Sequence, residues 1–246
     1  MSWRERQKGI SVNRAIAAVN KENALLVYPI KNQSLPKSLW SHFFPRSKMR
    51  WVWDENGDDR VVKIWDLRER LSRSERVVYT KWYQNRATFF SLEVFQALLS
   101  AFHQGDPSHA KISDNAQDLL GLLLDSSPQS TKSLRQFTKG SWEWDNRTHE
   151  TTMKELWKKF LITGHGEVDD GAFPSLNVSA TELRFEDLWK SAHHMTKEQS
   201  NAVIEEKLPL GNPFRKQWQR MLLAPKHRAR KKTKSTLTYE EINSLK

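Results

Sequence analysis

Apolar residues fall along this chain in short runs with two different periods. Ser11 is a good helix N-cap, and Ile16 and Val19 after it mark an opening helix; the run ALLVYPI then reads as a buried strand ending at Pro29. Ser38 starts a short helix bounded by prolines. After the polar loop ENGDDR, the spacing of Val61, Ile64, Leu67 and Leu71, with Trp65 beside them, predicts a helix that ends near SRSER. The stretch RVVYTKWYQNRATFFS is rich in β-branched and aromatic residues around a polar centre, so it predicts two strands joined at Gln84-Asn85. Ser91 caps a following helix with Phe95, Leu98, Leu99 and Phe102 on one face.

A second series begins after the polar break HQGDPSHAKISDN. It opens with a helix around AQDLLGLLL and continues through STKSLRQFTKG, whose Leu134 and Phe137 turn inward and whose Ser130 closes the N-terminus. Met153, Leu156, Trp157, Phe160 and Leu161 then recur at i, i+3, i+4, i+7 and i+8, giving a helix from Thr148 to Phe160. A strand, an Asp170-Gly171 turn and a second strand follow. Helix, strand, helix, helix, hairpin, helix in the first part and helix, helix, helix, hairpin in the second is close to the order of compact winged-helix modules, with each hairpin as a wing. The expected fold is α+β, mostly helical: tandem winged-helix modules over 1–105 and 113–190. Beyond a short helix with Trp189, a helical extension over 191–224 holds helices from Thr196 to Leu208 and around PFRKQWQRML, and is expected to pack back on the second module. A basic tail covers 225–246.

Composition narrows the partners. Hydrophobic content is 37%, but 11 Trp and 11 Phe supply large apolar area, which favours a globular chain over a disordered one. Absent cysteine rules out disulfides, thiolate metal sites and cysteine nucleophiles. No stretch reaches the roughly 20 apolar residues of a membrane span, and the charged opening MSWRERQKGISV carries no export signal, so a cytoplasmic location without membrane contact is expected. The formal charge of +11 favours an anionic partner, above all nucleic acid. Lys226, Arg228, Arg230, Lys231, Lys232 and Lys234 supply about half of that excess; in the tail they add affinity without sequence choice.

Candidate contacts follow from the elements. The helix from Thr148 carries Thr148, Thr151, Lys154, Glu155 and Lys158 opposite its apolar stripe, as a recognition helix would. The residues TKGSWEWDNR separate it from the preceding helix, too long a connection for a simple helix-turn-helix and better suited to a winged-helix module; Trp142 and Trp144 either pin that loop to the core, the favoured reading, or present an aromatic to an unstacked base. Ser130, Lys132 and Arg135 would grip phosphates at a helix N-terminus, with Lys139 and Arg147 beside them. Lys81 and Arg86, with Tyr83, flank the first hairpin tip; they suit either a wing along a DNA backbone or a charged edge that resists pairing. Glu167, Asp169 and Asp170 read as turn residues rather than a metal site. His193 and His194 lack ligand spacing to another His or acid, so no metal is expected. No phosphate loop, nucleophile elbow or dinucleotide fingerprint occurs, and no cofactor is expected.

The stretches YTKWYQNRATFFSLEVFQALL and STKSLRQFTKG followed by ETTMKELWKKFLI resemble the bacterial tandem winged-helix family of DNA glycosylases that unhook interstrand crosslinks, in particular its shorter, glycosylase-related members. The resemblance covers roughly Val61 to Trp189. It implies a concave basic surface for duplex DNA and, in an enzyme, hydrolysis of the N-glycosidic bond of a damaged base. The family's N-terminal Gln-x-Gln or Gln-x-Asp pair has no counterpart in the first third of the chain. Gln104-Gly-Asp106 and Gln217-Trp-Gln219 match only out of context, so no catalytic residue is assigned. The resemblance therefore implies DNA-binding architecture more firmly than catalysis, and a non-enzymatic transcription or nucleoid factor is the alternative.

Overall fold

The computed structural model describes residues 10–51, 59–103, 110–171 and 174–223. Gln104-Gly-Asp106 and the basic tail over 225–246 lie outside the described residues. Helix α1 (Val12–Glu22) is capped by Ser11, whose hydroxyl accepts from the Arg14 N–H at 3.3 Å. Strand β1 (Ala24–Leu26), α2 (Leu39–Phe43), α3 (Asp59–Ser72), β2 (Val78–Tyr83), β3 (Arg86–Phe90) and α4 (Leu92–His103) complete the first half. In the second half come α5 (Asp114–Ser126), β4 (Gln129–Ser130), α6 (Thr131–Ser141), α7 (Asn146–Lys158), β5 (Ile162–Val168) and β6 (Ser175–Ala180). After these follow α8 (Thr181–Arg184), α9 (Glu186–His194), α10 (Lys197–Lys207) and α11 (Pro213–Leu223).

Each half holds one small antiparallel sheet in which the hairpin is joined by a short strand from earlier in the chain: the orders are β1-β3-β2 and β4-β6-β5. The two halves thus repeat one plan of helix, strand, helix, helix, strand, strand. The first hairpin turns at Gln84 and Asn85, with φ of 51° and 58°, the left-handed pair that suits the right-handed twist of adjoining strands. Each hairpin also has a register shift, between Thr80 and Tyr83 in one and between Gly164 and Glu167 in the other.

Three expectations change. The connection before α7 is short, running only from Trp142 to Asp145, because Gly140 does not break α6 and the Trp142 and Trp144 N–H groups both bond to the Thr138 carbonyl, at 3.2 and 3.0 Å. Asp145 then caps α7 by accepting from the Thr148 N–H at 2.7 Å. The length mismatch with a helix-turn-helix therefore disappears. Secondly, the C-terminal helices pack on α4 of the first half rather than on the second half. The Ser100 hydroxyl bonds to the Met195 carbonyl at 3.0 Å, the Asn23 side chain to the Lys207 carbonyl at 3.2 Å, and Phe214 meets Tyr83 edge-on at 5.1 Å.

Thirdly, the first hairpin is not a projecting wing along its length. Trp82 and Tyr83 are buried, and Trp82 stacks on Phe160 of the second half with centroids 5.4 Å apart. Phe160 also meets Phe90, Phe95 and Phe102 edge-on, so one apolar core runs through both halves.

Candidate functional site

Where β2 of the first half faces β5 of the second, the two register shifts lie on neighbouring strands. A β-bulge re-aims the side chains around it. In β5 the change of direction is made at Gly166, with φ +66°, whose N–H donates to the Ser72 hydroxyl of α3 at 2.8 Å. Gly164 is required for close approach, since a Cβ there would lie 2.1 Å from the Tyr79 ring. Glu167 consequently turns back onto α3. Its carboxylate forms an ion pair with Arg68 and accepts from the Trp65 indole N–H at 3.0 Å, while its carbonyl accepts from Arg73 at 2.8 Å.

This pair is sequestered. The Arg68 and Glu167 side chains are 8% and 9% exposed, and the guanidinium lies 4.2 Å over the Trp65 ring, which is itself 40% exposed and forms the outer wall. Tyr79 lies on the inner side, its hydroxyl close to Arg68 without the alignment of a hydrogen bond. Tyr28 donates its O–H to the Val61 carbonyl at 2.8 Å and stacks edge-on against the exposed Trp51. Burial raises both tyrosine pKa values; for Tyr28 the Arg68 charge opposes that rise. Lys81, half-buried in β2, has its pKa lowered by burial and then by Arg68, with Glu167 acting in the opposite sense. The arrangement combines a carboxylate, a fixed cation, an amine and a half-exposed indole, chemistry suited to holding and protonating or deprotonating a polar ligand.

The residues expected to touch DNA fall into two groups. On α7, Arg147, Thr151, Lys154 and Lys158 are exposed along one stripe, and Arg135 and Lys139 are exposed on α6. Among the described residues Lys139, Arg147 and Lys158 form no ion pair, although the Arg147 charge acts on Asp145, whereas Arg135 and Lys154 both reach Glu150 at 3.5 Å. Thr148 is half-buried in the first turn. Arg86 is exposed at the start of β3, but Lys81 faces the Arg68 cluster instead of the hairpin tip.

Ser130 is buried, caps α6 by accepting from the Ser133 N–H at 3.0 Å, and donates to Asp170 at 2.8 Å; Lys132 donates to the Asp170 carbonyl. The chain's own carboxylate thus occupies the α6 N-terminus, the place that the sequence offers to a phosphate.

The Asp170 carboxyl is held below the usual carboxylate range by hydrogen bonds from Ser175 and Ser130, with the Lys132 charge adding to them. A depressed folded-state value contributes stability that is present above the ordinary Asp range and is lost as pH falls through the folded value. Asp170→Asn is therefore expected to unfold at lower urea than the parent near neutrality, and that difference should shrink as pH drops below about 4. A difference that stays constant with pH would overturn this reading. His149 adds acid sensitivity of its own, because burial and then Arg135 lower its pKa; stability is lost as pH falls below the ordinary histidine value of 6.5.

Arg68, Trp65, Tyr28 and Tyr79 do not stand out in the sequence as site residues, and Glu167 reads there as part of a turn. Glu167 lies instead inside β5, paired with Leu176. The available signal is Arg68 itself, a charge set among Ile64, Leu67 and Leu71 on the buried face of α3.

No helix among the described residues is long and apolar enough to cross a membrane. No curated protein and no solved structure matches the chain. The profile of one family, described as AlkZ related, matches residues 11–220 and so takes in both halves, the Arg68–Glu167 pair and most of the C-terminal helices. That span carries the cluster and the basic stripe alike, and the chain belongs to the AlkZ-related family, kin to the DNA glycosylases that repair crosslinks.

Proposed function

We propose that this chain is a cytoplasmic bacterial protein of tandem winged-helix type, with modules over 1–105 and 113–190, that binds duplex DNA. The observation that carries the reading is the exposed stripe Arg147, Thr151, Lys154 and Lys158, set on the third helix of a repeated helix–strand–helix–helix–hairpin plan. A third helix in that position lies in the major groove in helix-turn-helix proteins, and its cations meet phosphates on either side. Family membership supports the same partner. Arg135 and Lys139 on α6 extend the basic surface, and Arg86 is an exposed cation of the first hairpin; Ser130 and Lys132 contribute less, being committed to Asp170.

The test is duplex binding followed by anisotropy across salt concentrations. Charge reversal of Arg147, Lys154 and Lys158 together is expected to weaken binding and to reduce the salt slope by roughly 0.9 for each phosphate no longer neutralised. An unchanged slope would place the affinity elsewhere, and a chain ending at Leu223 checks the tail.

A repair role is favoured over a purely architectural one by the Arg68–Glu167 pair, a sequestered carboxylate under a half-exposed tryptophan. In that role the cluster orients water for cleavage of the N-glycosidic bond of a damaged base. Incubation with alkylated or crosslinked duplex should release base, and Glu167→Gln, which keeps a hydrogen-bond acceptor for Trp65, should abolish release without abolishing binding. Tight binding with no base release by the parent chain would leave a non-enzymatic transcription or nucleoid factor.

A further inference from the structure

Lys81 has no role in either the phosphate stripe or the ion pair. It lies in β2 within the register shift between Thr80 and Tyr83, next to the buried Trp82, where it feels the charges of Arg68 and Glu167. Among the described residues its amine makes no hydrogen bond and no ion pair. A half-buried lysine without a partner is unusual, because desolvation without compensation costs free energy. Such an amine is kept where it reacts: in its neutral form it is a nucleophile towards carbonyls.

Resting on the duplex-DNA reading above, we infer that Lys81 is a nucleophile for the aldehyde of an abasic sugar and gives the chain a strand-cleaving lyase activity. The ring-opened deoxyribose of an abasic site is the carbonyl that duplex DNA offers. The Lys81 Nζ adds to C1′, forming a carbon–nitrogen bond, and the carbinolamine loses water to give a protonated imine. The imine acidifies C2′, whose proton passes to a base; Glu167 is the carboxylate that shares this cluster. The electron pair moves to form the C2′–C3′ double bond as the C3′–oxygen bond breaks and the 3′ phosphate leaves. Water then hydrolyses the imine, restoring the amine and releasing an unsaturated aldehyde on one fragment and a 5′ phosphate on the other. No oxidant or reductant is consumed.

Burial of Lys81 fits this role, since burial and the Arg68 charge both lower its pKa and enlarge the neutral fraction near neutrality. The Arg68 guanidinium beside it cannot compete as a nucleophile.

The full chain is incubated with a duplex holding one abasic site, with and without cyanoborohydride, and compared with Lys81→Arg and Lys81→Ala. Expected is a covalent protein–DNA adduct trapped by the reductant in the parent chain, with strand cleavage when the reductant is omitted. Lys81→Arg keeps the positive charge and should bind abasic duplex within about threefold of the parent while losing at least tenfold in adduct. Tryptic mass analysis should place the reduced adduct on Lys81. Equal trapping by Lys81→Arg would assign the adduct to another amine of the chain and overturn the inference, as would abasic-duplex binding by the parent with no adduct. Absence of binding by the parent would instead sink the duplex-DNA reading on which the inference stands.

Discussion

Replacing Glu167 by alanine is expected to lower the unfolding free energy by about 3–5 kcal/mol, because it leaves the largely buried Arg68 guanidinium without its carboxylate. The same change also leaves the Trp65 indole N–H without its acceptor. An exposed pair such as Lys63–Asp59 is worth only about 0–1 kcal/mol, since solvent screens it. The penalty belongs to the unpaired charge, not to the bond. A double replacement of Arg68 by Met and Glu167 by Leu should therefore recover most of the loss. Urea unfolding of the two single variants and the double variant decides the matter. A loss below about 1 kcal/mol for Glu167→Ala would show that water reaches Arg68 and that the pair is not sequestered.

Phe160→Ala should be comparably severe, at about 3–5 kcal/mol, since it empties the place where Trp82, Phe90, Phe95 and Phe102 converge. The residue is fully buried and sits between the α7 C-terminus and β5, so the cavity opens at the junction of the halves. The parent chain is expected to unfold in one transition by both tryptophan fluorescence and far-UV circular dichroism, and the variant in transitions that no longer coincide. Phe160 also has φ of +59°, a conformation costly for a residue with a Cβ. Phe160→Gly should accordingly be no less stable than Phe160→Ala, although it fills less space. A clearly worse glycine variant would show that backbone strain contributes little at this junction.

These two residues also mark how far the sequence can be read. The helices are legible because their stripes are regular: Val61, Ile64, Leu67 and Leu71 are all buried as their spacing predicts, and Met153, Leu156 and Trp157 likewise. The turn at Gln84-Asn85 is legible because few residue pairs accept two left-handed φ values. Helix ends are harder, since α6 runs on to Ser141 where the sequence suggests a connection from Thr138, and the Trp142 and Trp144 N–H groups bond back to the Thr138 carbonyl.

Long-range pairing leaves no periodic trace. Glu167 and Arg68 stand 99 positions apart, and only the bulge at Gly166 turns one towards the other. Asp170 resembles an ordinary turn acid, and nothing local announces that it fills the α6 N-terminus. Lys81 reads as a wing-tip contact because a β-bulge, which moves it inward, has no clear signature in so short a strand.

The return of the C-terminal helices to α4 limits how this chain can be divided. Cutting after the second hairpin would separate no independent unit: it would uncover the α4 surface that α10 covers and the Tyr83 ring that Phe214 seals. The first half is completed by helices that follow the second half in the chain, so the second half is inserted, in effect, between two parts of a single cooperative body, and a ribosome must finish α11 before the first sheet has all its neighbours.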